Sequence, residues 1–324
     1  MKSKKFSLVI KESIKDFKKT IVVDSDKSTS IRSFLLGSIS QGISSVKNVL
    51  ESEDVFSTIN CLKKLKVKVL YLGNKTYKIF GKGLGSYNAK NLTKLNFGNS
   101  GTLARLIIGI IASTPNINLK VFGDKSLNKR NMKKLIYLMS EFGAEFFPKN
   151  KFFFPLRISS SNYPIGISYK SGTSAQLKSA VILAGLNSYG HTEITENLKS
   201  RDHTENMLKK NKHAIKITNG RIKKIKVIGK QSLDNFSIYV PGDPSSAAFF
   251  TALTLLKKNS YLRIKNVGLN PTRIGFYSLL KKSGAKITFS NRRKVNNEIV
   301  GDITVKSSSL RPINASKKYY LNTT

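Results

Sequence analysis

Cysteine occurs once in this 324-residue chain and histidine three times, and acidic residues number 18 against 57 lysines and arginines. One cysteine allows no internal disulfide, which fits a reducing cytoplasm. Cys61 lies in the helical-looking run 55–62 and reads as a buried, inert thiol. His191, His203 and His213 have neither metal-ligand spacing nor carboxylate partners, so no metal is expected, and His203 reads as support for a helix start. Apolar runs of about eighteen residues, the length a membrane helix needs, are absent. The basic start Met1–Lys5 leads into a short alternating run at 6–10, too brief for the core of a signal peptide. Neither a glycine-rich dinucleotide fingerprint nor a Walker sequence occurs.

The scarcity of acids leaves a formal charge of +39, which invites a nucleic-acid partner. The lysines, however, are spread over the whole length, and no zinc-ligand set, basic zipper or aromatic RNA-binding signature accompanies them. The charge therefore reads as compositional bias, alongside abundant Asn and Ile, and no nucleic-acid or membrane partner is expected. At this length two domains are expected rather than one.

What is present is a repeat. A small or polar turn runs into an apolar helix four times: Asp26-Lys27-Ser28, Asn99-Ser100-Gly101-Thr102, Thr173-Ser174-Ala175-Gln176 and Asp243-Pro244-Ser245-Ser246. Between Ser28, Ser100, Ser174 and Ser245 the steps are 72, 74 and 71 residues, the mark of one supersecondary unit copied along the chain. Second helices are expected to start near Ser52-Glu53-Asp54, Gly123-Asp124, Arg201-Asp202-His203 and Gly268-Leu269-Asn270-Pro271. Asp202 with Glu205 reads as a capping box, and Pro271 as the first helical residue after a capping Asn270. Gly143 and Gly284 are placed to end helices before alternating strands. Each unit then reads as strand, helix, strand, helix and one or two strands, over about 20–92, 93–165, 166–236 and 237–305, which predicts an α/β fold.

Three of the four turns suit anions. Asp26 can cap its helix, leaving Lys27 and Ser28 on the first turn and Arg32 one turn further, where the helix dipole already favours negative charge. Arginine can clamp a carboxylate or phosphate with two bonds. Gly101 lets a ligand approach backbone N–H groups, and Ser174, Ala175 and Gln176 offer neutral donors at a third helix start. Lys129-Arg130 alone is a basic pair on a lysine-rich surface, and the acidic fourth turn reads as scaffold. The residues describe a pocket of helix N-termini for two or more anionic groups, without naming the ligand.

At these residues the chain resembles the 5-enolpyruvylshikimate-3-phosphate synthases, the 3-phosphoshikimate 1-carboxyvinyltransferases. The resemblance lies in Asp26–Arg32, Gly98–Thr102, Gly123–Arg130, Ser174–Ala180, Ser200–Glu205, Pro241–Ala247 and Gly268–Arg273, which are ordered along nearly the whole chain. It implies transfer of enolpyruvyl from phosphoenolpyruvate to the 5-hydroxyl of shikimate 3-phosphate, in the shikimate pathway to chorismate and aromatic amino acids. The route is addition and then loss of phosphate, with no cofactor. Motif by motif, it implies that Lys27 touches both substrates and that Ser28, Arg32, Ser174, Ala175 and Arg201 hold shikimate 3-phosphate. Gly101 and Arg130 would face phosphoenolpyruvate, and Gln176 would lie between the two. Gly101 stands where some glyphosate-tolerant members carry alanine, so tolerance stays open.

The implied fold is the enolpyruvyl transferase-like inside-out α/β barrel, with repeated βαβαββ units in two domains. Here that means 21–236 as a first three-unit domain and 1–20 plus 237–324 as a second, incomplete one, with four of six units present. By the resemblance, the family's catalytic aspartate would lie beyond Thr324, the last residue of the sequence, so no catalytic residue is assigned. That implies a C-terminally truncated member with impaired activity. A cytoplasmic monomer with small-molecule substrates is expected. The alternatives are a UDP-N-acetylglucosamine enolpyruvyl transferase-like enzyme, against which the strings 123–130 and 200–204 speak, and a non-catalytic basic binding protein.

Overall fold

The structure is a computed structural model that describes residues 9, 11–313 and 315. Most of the basic start and of the alternating run at 6–10 lies outside the described residues. So does Thr324, and the expectation that the catalytic aspartate follows it has no counterpart among the described residues. The chain begins with β1 (Lys18–Val22), α1 (Lys27–Ile39), β2 (Gln41–Lys47), α2 (Glu53–Lys64), β3 (Lys68–Tyr71) and β4 (Tyr77–Lys82). A second round follows: β5 (Thr93–Asn96), α3 (Gly101–Ala112), β6 (Asn118–Phe122), α4 (Lys133–Glu141), β7 (Glu145–Phe147) and β8 (Leu156–Ser159). The third comprises β9 (Ser168–Ser171), α5 (Ala175–Leu186), β10 (His191–Glu196), α6 (His203–Leu208), β11 (Ile215–Thr218) and β12 (Lys223–Ile228). The last is β13 (Ser237–Tyr239), α7 (Pro244–Leu256), β14 (Tyr261–Gly268), α8 (Gly275–Lys282), β15 (Lys286–Val295) and β16 (Glu298–Lys306).

Each round closes a four-stranded mixed sheet in which the first two strands are parallel and the last two antiparallel, in the orders β5-β6-β8-β7 and β9-β10-β12-β11 for the middle rounds. The outer rounds exchange their first strands. β1 pairs with β14 at the edge of β1-β14-β16-β15, and β13 pairs with β2 at the edge of β13-β2-β4-β3. The expected unit boundaries at 20 and 237 thus shift by a few residues, because these strands serve the sheet opposite to the helix that follows them. The two crossing segments bond each other, Asp26 N–H to Pro241 O and Asp243 N–H to Asp24 O, both at 2.8 Å.

Helices cover one face of each sheet, and two hydrophobic cores result. One runs from Ile31 to Val240, and the other gathers Val23, Ala247, Leu262, Ile264, Tyr277, Ile303 and Val305 with their neighbours. α3 is apolar nearly all round, as a buried helix should be, and α1 and α5 are buried as fully despite their polar residues: eleven of thirteen, eleven of twelve and ten of twelve residues are buried in α1, α3 and α5. α7 carries no charged residue but buries five of thirteen, leaving Phe249 and Leu256 each 80% exposed. Cys61 is buried as expected, and burial pushes its thiol up to about 12.

The four first helices are capped as the sequence suggests. Asp26, Ser100, Ser174 and Asp243 accept from Thr29, Leu103, Leu177 and Ser245 N–H respectively. Of the second helices, α2 and α6 start where expected, at Glu53 and His203, while the other two depart from expectation. Asp124 caps a single 3-10 turn, Leu127–Lys129, and α4 starts only at Lys133, because Arg130 is extended. Pro271 lies in a turn before α8, where the Asn270 side chain binds Thr272 N–H instead of capping a helix. Asp202 and Glu205 form no capping box: Asp202 accepts from Asn206 and Asn270, and Glu205 pairs with Lys178 and Lys223. Gly143 and Gly284 take positive φ, 92° and 98°, at the expected helix ends.

α3 and α5 meet at Gly109, where a Cβ would fall 2.4 Å from the Ala180 carbonyl oxygen. Backbone cannot retreat as a flexible side chain can, so Gly109→Ala is expected to destabilise by about 1–3 kcal/mol. Urea unfolding of the two proteins checks this.

Candidate functional site

Arg32 belongs to α1, whose remaining core-facing residues are small or apolar, and its guanidinium is buried. It donates to Thr204 Oγ1 at 2.9 Å, to Ser28 O at 3.1 Å and to Ser179 Oγ at 3.4 Å. All three acceptors are neutral. Burial is the largest influence on this group and lowers it to about 10, against partial support from Asp26 and Glu205. Arg201 precedes α6 and donates no hydrogen bond to another described residue. Burial first, then the charge of Arg273, with Arg32 adding to it, lowers it also to about 10. Two buried or half-buried guanidinium groups without a bonded carboxylate form a site where an added anion relieves repulsion and restores lost solvation.

The loop that carries Arg201 is held from below by a buried ion cluster. Lys178 Nζ lies 2.8 Å from both Glu196 and Glu205, and Lys223 pairs with Glu205 at 3.0 Å. Glu196 Oε1 also accepts Ser200 N–H and Oγ–H at 2.8 and 2.6 Å. Although burial opposes its charge, Lys178 and the Ser200 bonds hold the Glu196 carboxyl below its usual range.

A second cationic group sits at the α3 N-terminus. Arg105 donates to Gly101 O at 3.1 Å and to Gln176 Oε1 at 2.9 Å, while Gln176 Nε2 donates to Thr102 Oγ1 at 2.9 Å. Arg130 reaches Asn99 Oδ1. A Cβ on Gly101 would fall 2.8 Å from the Arg105 guanidinium and 2.9 Å from that of Arg130. Burial and then the nearby Arg130 charge lower Arg105. The bare backbone at Gly101 therefore leaves room for two arginines to converge.

Of the residues singled out from sequence, Ser28 and Arg32 share one group, while Gly101, Arg130 and Gln176 share the other. Ser174 and Ala175 lie on the same turn as Gln176, and Arg201 stands close enough to Arg32 for their charges to interact. Lys27 is half-exposed and pairs with Asp54 at 3.1 Å. Arg105 and the hydroxyls of Thr102, Ser179 and Thr204 went unread. Arg105 had a signal, being the one charged residue in the otherwise apolar α3.

The fourth turn is scaffold, as its acidic residues suggest, and it is tied to the first. Arg273 Nη1 reaches Asp26 Oδ2 at 3.1 Å and Nη2 reaches Asp243 Oδ1 at 3.0 Å, so one guanidinium ties the caps of α1 and α7. His203 uses its ring for Glu298, 2.9 Å away, in place of supporting its own helix. Burial works against the Asp26 charge, but Arg273, His203 and the Thr29 bonds outweigh it and lower the carboxyl to about 2. Asp243 moves the other way, raised by burial and by the charge of Asp26.

A carboxyl lowered on folding stabilises above its unfolded value and loses that contribution as pH falls through the folded one. Asp26→Asn should thus cost about 2 kcal/mol at pH 7. In urea unfolding followed against pH, its deficit should shrink as pH falls from about 4 toward 2.

The EPSP synthase family, described as 3-phosphoshikimate 1-carboxyvinyltransferase, matches residues 11–318. A 3-phosphoshikimate 1-carboxyvinyltransferase of Bacillus cytotoxicus is 42% identical over 297 residues, which are 91% of this chain and 68% of that protein. One from Petrotoga mobilis is 40% identical over 301 residues, 90% and 67% of the two chains. The solved EPSP synthase from Acinetobacter baumannii superposes with a TM-score of 0.83 at 34% identity, over 95% of this chain and 69% of that one. The enolpyruvyl transferase NikO from Streptomyces tendae, 13% identical, shares the fold with a TM-score of 0.68 over 92% and 68%. The chain thus spans about two thirds of the length of these proteins. With its four βαβαββ rounds and its arginine-lined helix N-termini, it belongs to the EPSP synthase family of transferases.

Proposed function

We propose that this chain binds shikimate 3-phosphate and phosphoenolpyruvate at the two arginine groups and orients them for enolpyruvyl transfer. The single observation that carries the reading is Arg201: a half-buried guanidinium with no hydrogen-bond partner among the described residues, beside an Arg32 held by neutral acceptors. A phosphate dianion is the complement of such a pair. Ser28, Ser174 and Ala175, at the adjoining helix starts, add hydroxyl and backbone donors.

Phosphoenolpyruvate carries a carboxylate and a phosphate, and the Gly101, Arg105 and Arg130 group offers it two guanidiniums over a bare backbone. Gln176 lies between the two ligands, its amide bonded to Arg105 and Thr102. In the reaction, the 5-hydroxyl oxygen gives up its proton and bonds to C2 of phosphoenolpyruvate while the C2=C3 double bond breaks and C3 gains a proton. C3 then gives up a proton as the C2–O bond to phosphate breaks, and the double bond re-forms. Before transfer, these residues cancel the charge repulsion between two anionic substrates and fix their approach, a contribution of proximity and electrostatics. Lys27, released from Asp54, would serve both ligands.

A formal charge of +39 opposes self-association and supports a monomer. The single buried thiol fits a cytoplasmic setting, and no described helix is long and apolar enough to cross a membrane.

Calorimetry on the 324-residue chain tests the reading. Shikimate 3-phosphate should bind, UDP-N-acetylglucosamine should not, and Arg201→Ala should weaken binding by about 20- to 100-fold, the worth of a charge-assisted contact. Equal affinity in the parent and Arg201→Ala proteins would remove Arg201 from the site.

A further inference from the structure

Glu298 opens β16 directly after the Asn296-Asn297 turn, whose residues both have positive φ, 49° and 65°. This hairpin tip crosses from the second hydrophobic core to the first and borders a small cleft with Met207, Lys210, Phe236 and Ile238. There the Glu298 carboxylate is buried and receives donors from two directions. Oε1 lies 2.9 Å from His203 Nδ1 and 3.1 Å from Asn206 Nδ2, and Oε2 lies 2.8 Å from Asn270 Nδ2. Burial opposes the charge, yet the His203 contact and the two amides hold the carboxyl below its usual range.

The other ring nitrogen has a longer contact. Arg273 Nη1 lies 3.5 Å from His203 Nε2, and a guanidinium can only donate. A contact that long does not fix the ring; it is compatible with a bare Nε2, and the 2.9 Å contact to the acceptor-only Glu298 carboxylate puts the proton on Nδ1. The opposite tautomer would turn an N–H toward the guanidinium and a filled lone pair toward the carboxylate. Beyond the ring, Arg273 binds Asp26, Asp243 and Ser245 Oγ, the last at 2.9 Å. A line of contacts thus runs from a strand of one body, through a helix of the other, to the starts of α1 and α7.

We propose that Glu298 is a positioning residue of the substrate site: it fixes the His203 tautomer, which holds Arg273 on the two helix caps and sets the α1 start, with Lys27 and Ser28, against Arg201. The effect on affinity rests on the reading that this site binds shikimate 3-phosphate; the tautomer does not.

The chain has three histidines, so ¹⁵N-histidine spectra resolve His203. The parent should show it with Nδ1 protonated and Nε2 bare. In Glu298→Gln, which sets an amide N–H against existing donors, the ring should become a mixture of tautomers. Shikimate 3-phosphate should then bind about tenfold more weakly, with the thermal midpoint nearly unchanged. A parent ring protonated at Nε2, or unchanged affinity in Glu298→Gln, would overturn the proposal. So would lost stability and affinity with the tautomer unmoved, which would mark a merely structural residue. Should Glu298→Gln not fold, Glu298→Asp keeps the charge but withdraws it from Nδ1, and the same readings decide. If the parent fails to bind shikimate 3-phosphate, the substrate reading falls, while the tautomer comparison still decides the role of Glu298.

Discussion

One arginine between two carboxylates joins the molecule. Asp26 caps a helix in the first core and Asp243 caps a helix at the second, and the Arg273 guanidinium holds both. Two caps side by side would repel, and burial would sharpen the repulsion; the cation between them turns it into a clamp. The exchange of β1 and β13 between sheets brings the caps together, because each crossing segment hydrogen-bonds the other just ahead of its helix. The strand exchange, the paired helix starts and the arginine are therefore one structural solution.

The same clamp explains the charge of the site. Arg273 spends its positive charge on Asp26 and Asp243, yet it still depresses Arg201 nearby. Arg32 meets only hydroxyls and a carbonyl. Below, Lys178 and Lys223 are matched by Glu196 and Glu205. The buried charges that build the scaffold are neutralised within the protein, and the arginines at the helix starts are not. That division separates scaffold from site on electrostatic grounds, without reference to any relative.

Much of this was legible in the sequence, and the reasons for the rest are physical. The caps at Asp26, Ser100, Ser174 and Asp243 were readable because capping is local chemistry. The starts of α4 and α8 were not, since Arg130 and Asn270 are drawn into long-range contacts that override the local signals at Asp124 and Pro271. Which strands cross could not be read from β1 and β13 themselves, because a strand of three or five residues does not specify its partner. Arg105 could have been found as the lone charge on an apolar helix. Glu298, 95 residues from His203, could not, because nothing in a hairpin's own sequence says what its tip will touch. α7 shows the converse: its sequence reads as fully buried, and the described structure leaves Phe249 and Leu256 in solvent.

The central claim is that unneutralised arginines at converging helix starts are built for a phosphate. Calorimetric titration with shikimate 3-phosphate and with shikimate itself tests it most directly, because the two ligands differ only in that group. The account predicts that losing the phosphate weakens binding by about 100-fold or more, the worth of two charge-assisted contacts. Comparable affinity for both ligands would contradict it.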